Sequence, residues 1–207
     1  MSGEVVKMDY SYWNYFLSLE RDLQTIGRYV EFSENNFNVY SVEILKLFLA
    51  ASSEFEVVLK EIGKKYAYSK IVNAKHSENI TIKTLKNFID ETNALVSMKN
   101  AEICLKQFGL FFMPVKEIWD KESWWKNYNF AKHNRTMNYQ KANLSNLLKS
   151  MGSLFIANLF LYEKEFHNEN CTFDENISIV LANLQETNLL ELKNKSYYSF
   201  RHAAFFS

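Results

Sequence analysis

The chain has 207 residues, of which 47% are hydrophobic and 16% aromatic, with 24 Lys and Arg set against 24 Asp and Glu. That length suits a single domain over 1–207 with a sizeable core, and that composition excludes a disordered protein. The balanced charge excludes a chain-wide field drawing the protein onto nucleic acid or an anionic membrane, so any affinity for anions must be local.

Cys104 and Cys171 are the only cysteines, which is the usage of a reducing compartment rather than of a disulfide framework. The N-terminal residues lack the basic start and apolar run of a signal peptide, and no stretch of 18 uncharged apolar residues is present. These features predict a cytoplasmic protein without a membrane partner. Five Gly and one Pro leave few breakers, which favours a mainly α, effectively all-α fold.

In chain order, Tyr12, Phe16, Leu19, Leu23, Ile26 and Val30 recur at steps of four and three, predicting an amphipathic helix capped by Asp9 or Ser11. Ser41 caps a second helix with the stripe Ile44, Leu47, Phe48, Ala51, Phe55, Val58 and Ile62, closed by Gly63. The pattern weakens from Lys64, and Thr81 then caps a shorter helix with Leu85, Phe88 and Ile89. Alternation over Glu102–Lys106, then Gly109 and Leu110–Met113 ahead of Pro114, predicts a small β-hairpin within 101–114. A bend or short helix follows, with Trp119 inward. Ala142–Phe166 reads as a long helix bearing Leu144, Leu147, Leu148, Met151, Phe155, Leu159 and Tyr162 inside, where Gly152 admits a close helix approach. Beyond about residue 168 comes a C-terminal extension: weakly helical from Asp174 to Lys193, and aromatic but unperiodic from Ser196.

The densest chemistry lies in Ser123–Arg135, where paired indoles run into Lys132, His133 and Arg135. On a helix, Asn129 and His133 share a face with Lys132 and Arg135 beside them. An amide, an imidazole and a guanidinium are groups that hold a phosphate and move a proton near it. In metal-independent RNA cleavage, His133 would take the 2′-hydroxyl proton, Lys132 and Arg135 would clamp the phosphorane, and Asn129 would fix the imidazole tautomer. The same residues also read as a solvated face above a core of Trp124, Tyr128 and Ala131. Two successive indoles do not easily both face inward, so Trp124 or Trp125 is expected at the surface, where an aromatic ring can stack on a base.

Glu54 lies at the edge of the second helix's apolar stripe and would need a partner if buried, either His133 or Arg135. The reading as an edge acid reaching water ranks slightly ahead of that, while Glu56 and Lys60 form an ordinary pair at four-residue spacing. His76 falls in a polar stretch, His167 near a helix end, and Arg201-His202 near the C-terminus. No Cys/His spacing suggests zinc, no glycine-rich loop suggests nucleotide phosphates, and no Gly-x-Ser-x-Gly suggests a hydrolase. Neither a metal nor a cofactor is expected.

The order Tyr40–Ile44, Ser53–Glu56, Pro114…Trp119, Trp124–Arg135 and Ala142-Asn143-Leu144 resembles small bacterial proteins of the HEPN-like (higher eukaryotes and prokaryotes nucleotide-binding) group over roughly residues 10 to 165. The resemblance implies an up-and-down helical bundle, commonly a homodimer. It also implies a role in binding RNA or a nucleotide, or a metal-independent endoribonuclease, in phage-defence or toxin–antitoxin settings with an antitoxin protein as partner. The family's ribonuclease signature, an Arg followed four to six positions later by His, is absent: none of Arg21, Arg28, Arg135 or Arg201 has such a His. By analogy His133 and Arg135 are the catalytic candidates, with Asn129, Lys132, Tyr128, Trp125 and Glu54 as ligand-binding candidates. A non-catalytic helical oligomerisation or interaction protein is the remaining alternative.

Overall fold

The computed structural model describes residues 8–72 and 93–193, which form seven α-helices and one small antiparallel sheet. The mainly helical class and the hairpin both agree with the sequence pattern. Helix α1 (Ser11–Gly27) buries Phe16, Leu19, Leu23 and Ile26, joined by Trp13 and Leu17. Neither Asp9 nor Ser11 is its N-cap as expected: Tyr10 holds that position without a side-chain cap bond, and Asp9 Oδ1 accepts the Ser11 amide at 2.8 Å just ahead of the helix.

Helix α2 (Val42–Val72) opens where Ser41 Oγ accepts the Ile44 amide at 3.1 Å, and its whole stripe from Ile44 to Ile62 is buried. Gly63 does not close it, contrary to expectation. That glycine is itself buried, and helical contact continues beyond it, where Lys65 Nζ donates to Leu161 O at 3.4 Å. Tertiary packing of this kind outweighs the roughly 1 kcal/mol by which Gly disfavours a helix interior.

A short helix α3 (Asn93–Asn100) leads to β1 (Ile103–Leu105) and β2 (Leu110–Phe112), paired as Ile103 with Phe112 and Leu105 with Leu110. The connecting loop turns through Gln107 (φ 72°) and Gly109 (φ 64°), left-handed conformations in which only the glycine is free of strain. A 3₁₀ turn (Lys116–Trp119) then precedes α4 (Trp124–His133), α5 (Arg135–Asn138) and a second 3₁₀ turn at Tyr139–Lys141.

Helix α6 (Leu144–Glu163) is the axis of the molecule, buried on nearly every side, with Asn143 Oδ1 accepting the Asn146 amide at 3.1 Å as its cap. Among the described residues it alone is long and apolar enough to cross a membrane, yet 89% of that window is buried inside the protein. Gly152 does admit a close approach, but the neighbour is the sheet rather than a helix. A Cβ there would stand 2.7 Å from Ile103 Cδ1 and 3.2 Å from Pro114 Cγ.

Helix α7 (Phe173–Asn183) starts on a capping box in which Thr172 and Glu175 bond reciprocally. After it comes β3 (Leu190–Leu192), which pairs antiparallel with β1 and gives the order β2-β1-β3. The stretch read as an extension from about 168 is therefore built into the fold as far as Lys193.

Helices α1 and α2 run in opposite directions, as an up-and-down bundle requires: Tyr12 faces Glu61, while Tyr29 faces Glu43. Helices α2 and α6 instead run the same way. They start together at a bridge between Tyr40 and Asn143 and are still side by side where Lys65 pairs with Glu165, beyond which α2 runs on to Val72. The expected Thr81 helix with Leu85, Phe88 and Ile89, the side chain of Trp119, and His76, Arg201 and His202 lie outside the described residues.

Candidate functional site

Helix α4 is set by its first turn. Ser123 Oγ accepts the Lys126 amide at 3.2 Å, fixing Trp124 as the first helical residue. Both indoles then go inward, which corrects the expectation that one would face solvent. Trp124 Nε1 donates to Pro114 O at 2.9 Å, and Phe55 of α2 meets both rings edge-on. The helix packs against both α2 and α6, so two successive side chains each find a wall. Trp125 leans on Tyr128 at 5.1 Å between ring centroids. With Trp125 at 7% and Tyr128 at 1% exposure, neither offers an open face to a base, so both leave the set of ligand-binding candidates and join the core.

The far end of α4 is open. Lys132, His133 and Arg135 are all exposed, and Asn129 is half-buried. Asn129 and His133 stay four apart on α4 as expected, but Arg135 does not lie beside them on that helix, because Asn134 (φ −144°, ψ 65°) interrupts it and Arg135 opens α5. Asn129 does not hold the imidazole either: its Nδ2 donates to Trp125 O at 2.9 Å, one turn back. Lys132 reaches back in the same way, donating to Tyr128 OH at 3.1 Å with its ammonium 5.2 Å from the ring centre. That hydrogen bond raises the lysine's pKa above its ordinary value, so the ammonium stays charged. Among the described residues, neither His133 nor Arg135 has a hydrogen-bond or ion-pair partner.

Glu54 belongs to another face. On a helix, two residues separate side chains by about 200°, and Glu54 and Glu56 divide accordingly. Glu54 lies near Tyr12 of α1, where burial pushes its carboxyl pKa up. Glu56 pairs with Lys60 at 2.9 Å and is the acid whose field reaches Lys132. The expected pairing of Glu54 with His133 or Arg135 is not present.

His167 Nδ1 lies 2.7 Å from Glu163 Oε1, whose side chain is only 2% exposed, so this histidine anchors the end of α6. Among the described residues no three His, Cys, Asp or Glu side chains gather as a metal site.

Two signals escaped sequence reasoning. Glu20, four residues after Phe16 and three before Leu23, stands inside the apolar arc of α1. It is fully buried and accepts the amides of Asn188 (2.9 Å), Leu189 (2.9 Å) and Leu190 (3.1 Å). Its carboxylate ties α1 to the start of β3. The second signal is charge segregation: between Glu122 and Glu163 the chain has no acid, while Lys126, Lys132, Arg135, Lys141 and Lys149 all fall there. A neutral total thus conceals a basic stretch centred on α4 and α5. No family model, no curated protein and no solved structure matches the chain.

Proposed function

We propose that the protein binds RNA through the phosphate backbone, with the exposed cations around the α4–α5 junction as the contact. The observation that carries this reading is the exposure of Lys132, His133 and Arg135 within an acid-free segment, with His133 and Arg135 unpaired among the described residues. An unpaired guanidinium at the surface keeps all of its donors for a phosphate, and arginine's fork matches phosphate oxygens two at a time. The HEPN-like resemblance adds a homodimer, a cytoplasmic location and a phage-defence or toxin–antitoxin setting with an antitoxin protein as partner. Neither Cys104 nor Cys171 forms a disulfide, which suits that location.

Fluorescence anisotropy with a labelled single-stranded oligoribonucleotide tests the binding. Arg135→Ala should raise Kd several-fold at an unchanged melting temperature, because the side chain is exposed and makes no hydrogen bond or ion pair among the described residues. Equal affinity for wild type and variant overturns the reading.

Cleavage is the second reading, favoured by the open imidazole. His133 would remove the 2′-hydroxyl proton and Arg135 would neutralise the phosphorane. Binding ranks ahead of it, because Asn129 is engaged by Trp125 and no described group fixes the His133 tautomer. RNA incubated with the protein and EDTA decides: cleavage that disappears in His133→Ala supports an enzyme, and absence of cleavage leaves a binding protein.

A further inference from the structure

On the flank of α4 opposite its contact with the core lies a groove of about 460 Å³, walled by the residues ahead of α4, by α4 itself, by the turn after α5 and by the start of α6. Part of its polarity is structural: Asn143 caps α6, Asn146 Nδ2 donates to Lys141 O at 2.8 Å, and Lys126 Nζ donates to Lys121 O at 3.0 Å. Yet Lys121, Lys126 and Lys141 line it against the single carboxylate of Glu122, and amide side chains make up much of the rest. Phe130 projects from α4 into this setting at 48% exposure. Lys141 Nζ stands 4.9 Å from the centre of that ring and donates to Asn127 Oδ1 at 3.3 Å. The amides of Asn38 and Gln140 are exposed and have no hydrogen-bond partner among the described residues.

We infer that this groove is a binding site for one nucleotide, taking its base against Phe130 and its phosphate at Lys126 and Lys141. Each part of a nucleotide meets the group it needs. An exposed phenyl ring stacks on any base, and an amide offers a donor and an acceptor side by side to a base edge. The Lys141 ammonium beside the ring and the Lys126 side chain on the groove wall supply the charge for the phosphate, and the volume falls in the usual range for small-ligand pockets. The acid-free segment that defines the RNA contact also supplies most of the groove.

The site also has a direction. Phe130 precedes His133 by three residues on the same helix, and α5, which Arg135 opens, leads directly into the turn that carries Gln140 and Lys141. A strand with one base in the groove therefore continues past the His133 and Arg135 side chains, which makes single-stranded RNA rather than duplex the substrate class. Duplex RNA keeps its bases stacked and unavailable to a ring. This inference rests on the proposed RNA contact for its polymeric form, whereas a free nucleoside monophosphate would need the groove alone.

The test uses full-length protein with two probes: a fluorescein-labelled twelve-nucleotide single-stranded RNA followed by anisotropy, and AMP followed by isothermal calorimetry. Phe130→Ala removes an exposed side chain, and Lys141→Ala an ammonium above it; both variants should melt as wild type does. Each should weaken RNA binding at least five-fold, the lower end for loss of a base stacked on an aromatic ring. AMP binding should vanish in both. RNA affinity that falls in Arg135→Ala but stays unchanged in Phe130→Ala and Lys141→Ala overturns the groove and leaves the RNA contact standing. AMP binding without RNA binding supports the groove and overturns the contact. Binding of neither probe by wild type overturns both.

Discussion

At the scale of single residues, two glutamates show how burial decides what a carboxylate does. Glu20 is enclosed but meets three backbone amides, so its charge is balanced by donors that would otherwise be orphaned at the entry to β3. Glu20→Gln keeps the shape but turns one acceptor into a donor facing backbone N–H groups. It should cost about 1–3 kcal/mol of stability in a denaturant titration, the range for an unsatisfied buried group. Glu54 is the opposite case, half-buried without a hydrogen-bond partner among the described residues, and burial raises its pKa. A carboxyl whose folded pKa lies above its unfolded value binds more protons in the folded state, so its ionisation weakens the fold as pH climbs through and beyond the ordinary carboxyl range. Glu54→Gln should therefore leave the melting temperature unchanged near pH 3 and raise it slightly at pH 7. Equal shifts at both values would show that Glu54 is fully hydrated in the folded state.

Elements reveal where periodicity informs and where it fails. The stripes of α1, α2 and α6 are written in side-chain spacing, and each was legible. Gly63 as a stop was not, because a helix end depends on what packs beyond it. The three residues of β3 were hidden for a related reason: a strand that short acquires its identity from β1, a partner some 85 residues earlier, and from the Glu20 carboxylate. Gly152 illustrates the same limit, since spacing marks a close contact without naming the neighbour. Gly152→Ala gains helix propensity of about 1 kcal/mol but drives a methyl to within 2.7 Å of Ile103 Cδ1, which is sealed in the core. Overpacking of that kind costs about 1–3 kcal/mol, so the single variant should be less stable. Ile103→Val removes the offending methyl, and the double variant should be more stable than the sum of the single effects, with a coupling of about 1 kcal/mol or more. Strict additivity in a denaturant-based double-mutant cycle would place the contact elsewhere.

On the scale of the whole molecule, charge is distributed so that the total conveys little. The neutral sum correctly excluded a global field, and the local concentration at the α4–α5 junction appears only when acids are followed along the chain. Within the candidate site, Arg135 and Lys132 were legible as exposed cations because their residue types are rarely buried. Trp125 and Tyr128 were misassigned, because the direction each faces depends on how α4 lies against α2 and α6, and the turn of Glu54 toward Tyr12 depends on how α1 lies against α2; no single helical wheel contains those crossings. The same packing that withdraws the indoles leaves the far end of α4 in water, where a polyanion can reach it.

The most direct measurement is the salt dependence of RNA affinity. With single-stranded RNA, log Kd should rise linearly with log salt concentration, and Arg135→Ala should reduce the magnitude of that slope by about 0.7, the share of one phosphate contact. A slope near zero for wild type, or one that Arg135→Ala leaves unchanged, would contradict the assignment of this junction as the phosphate-binding surface.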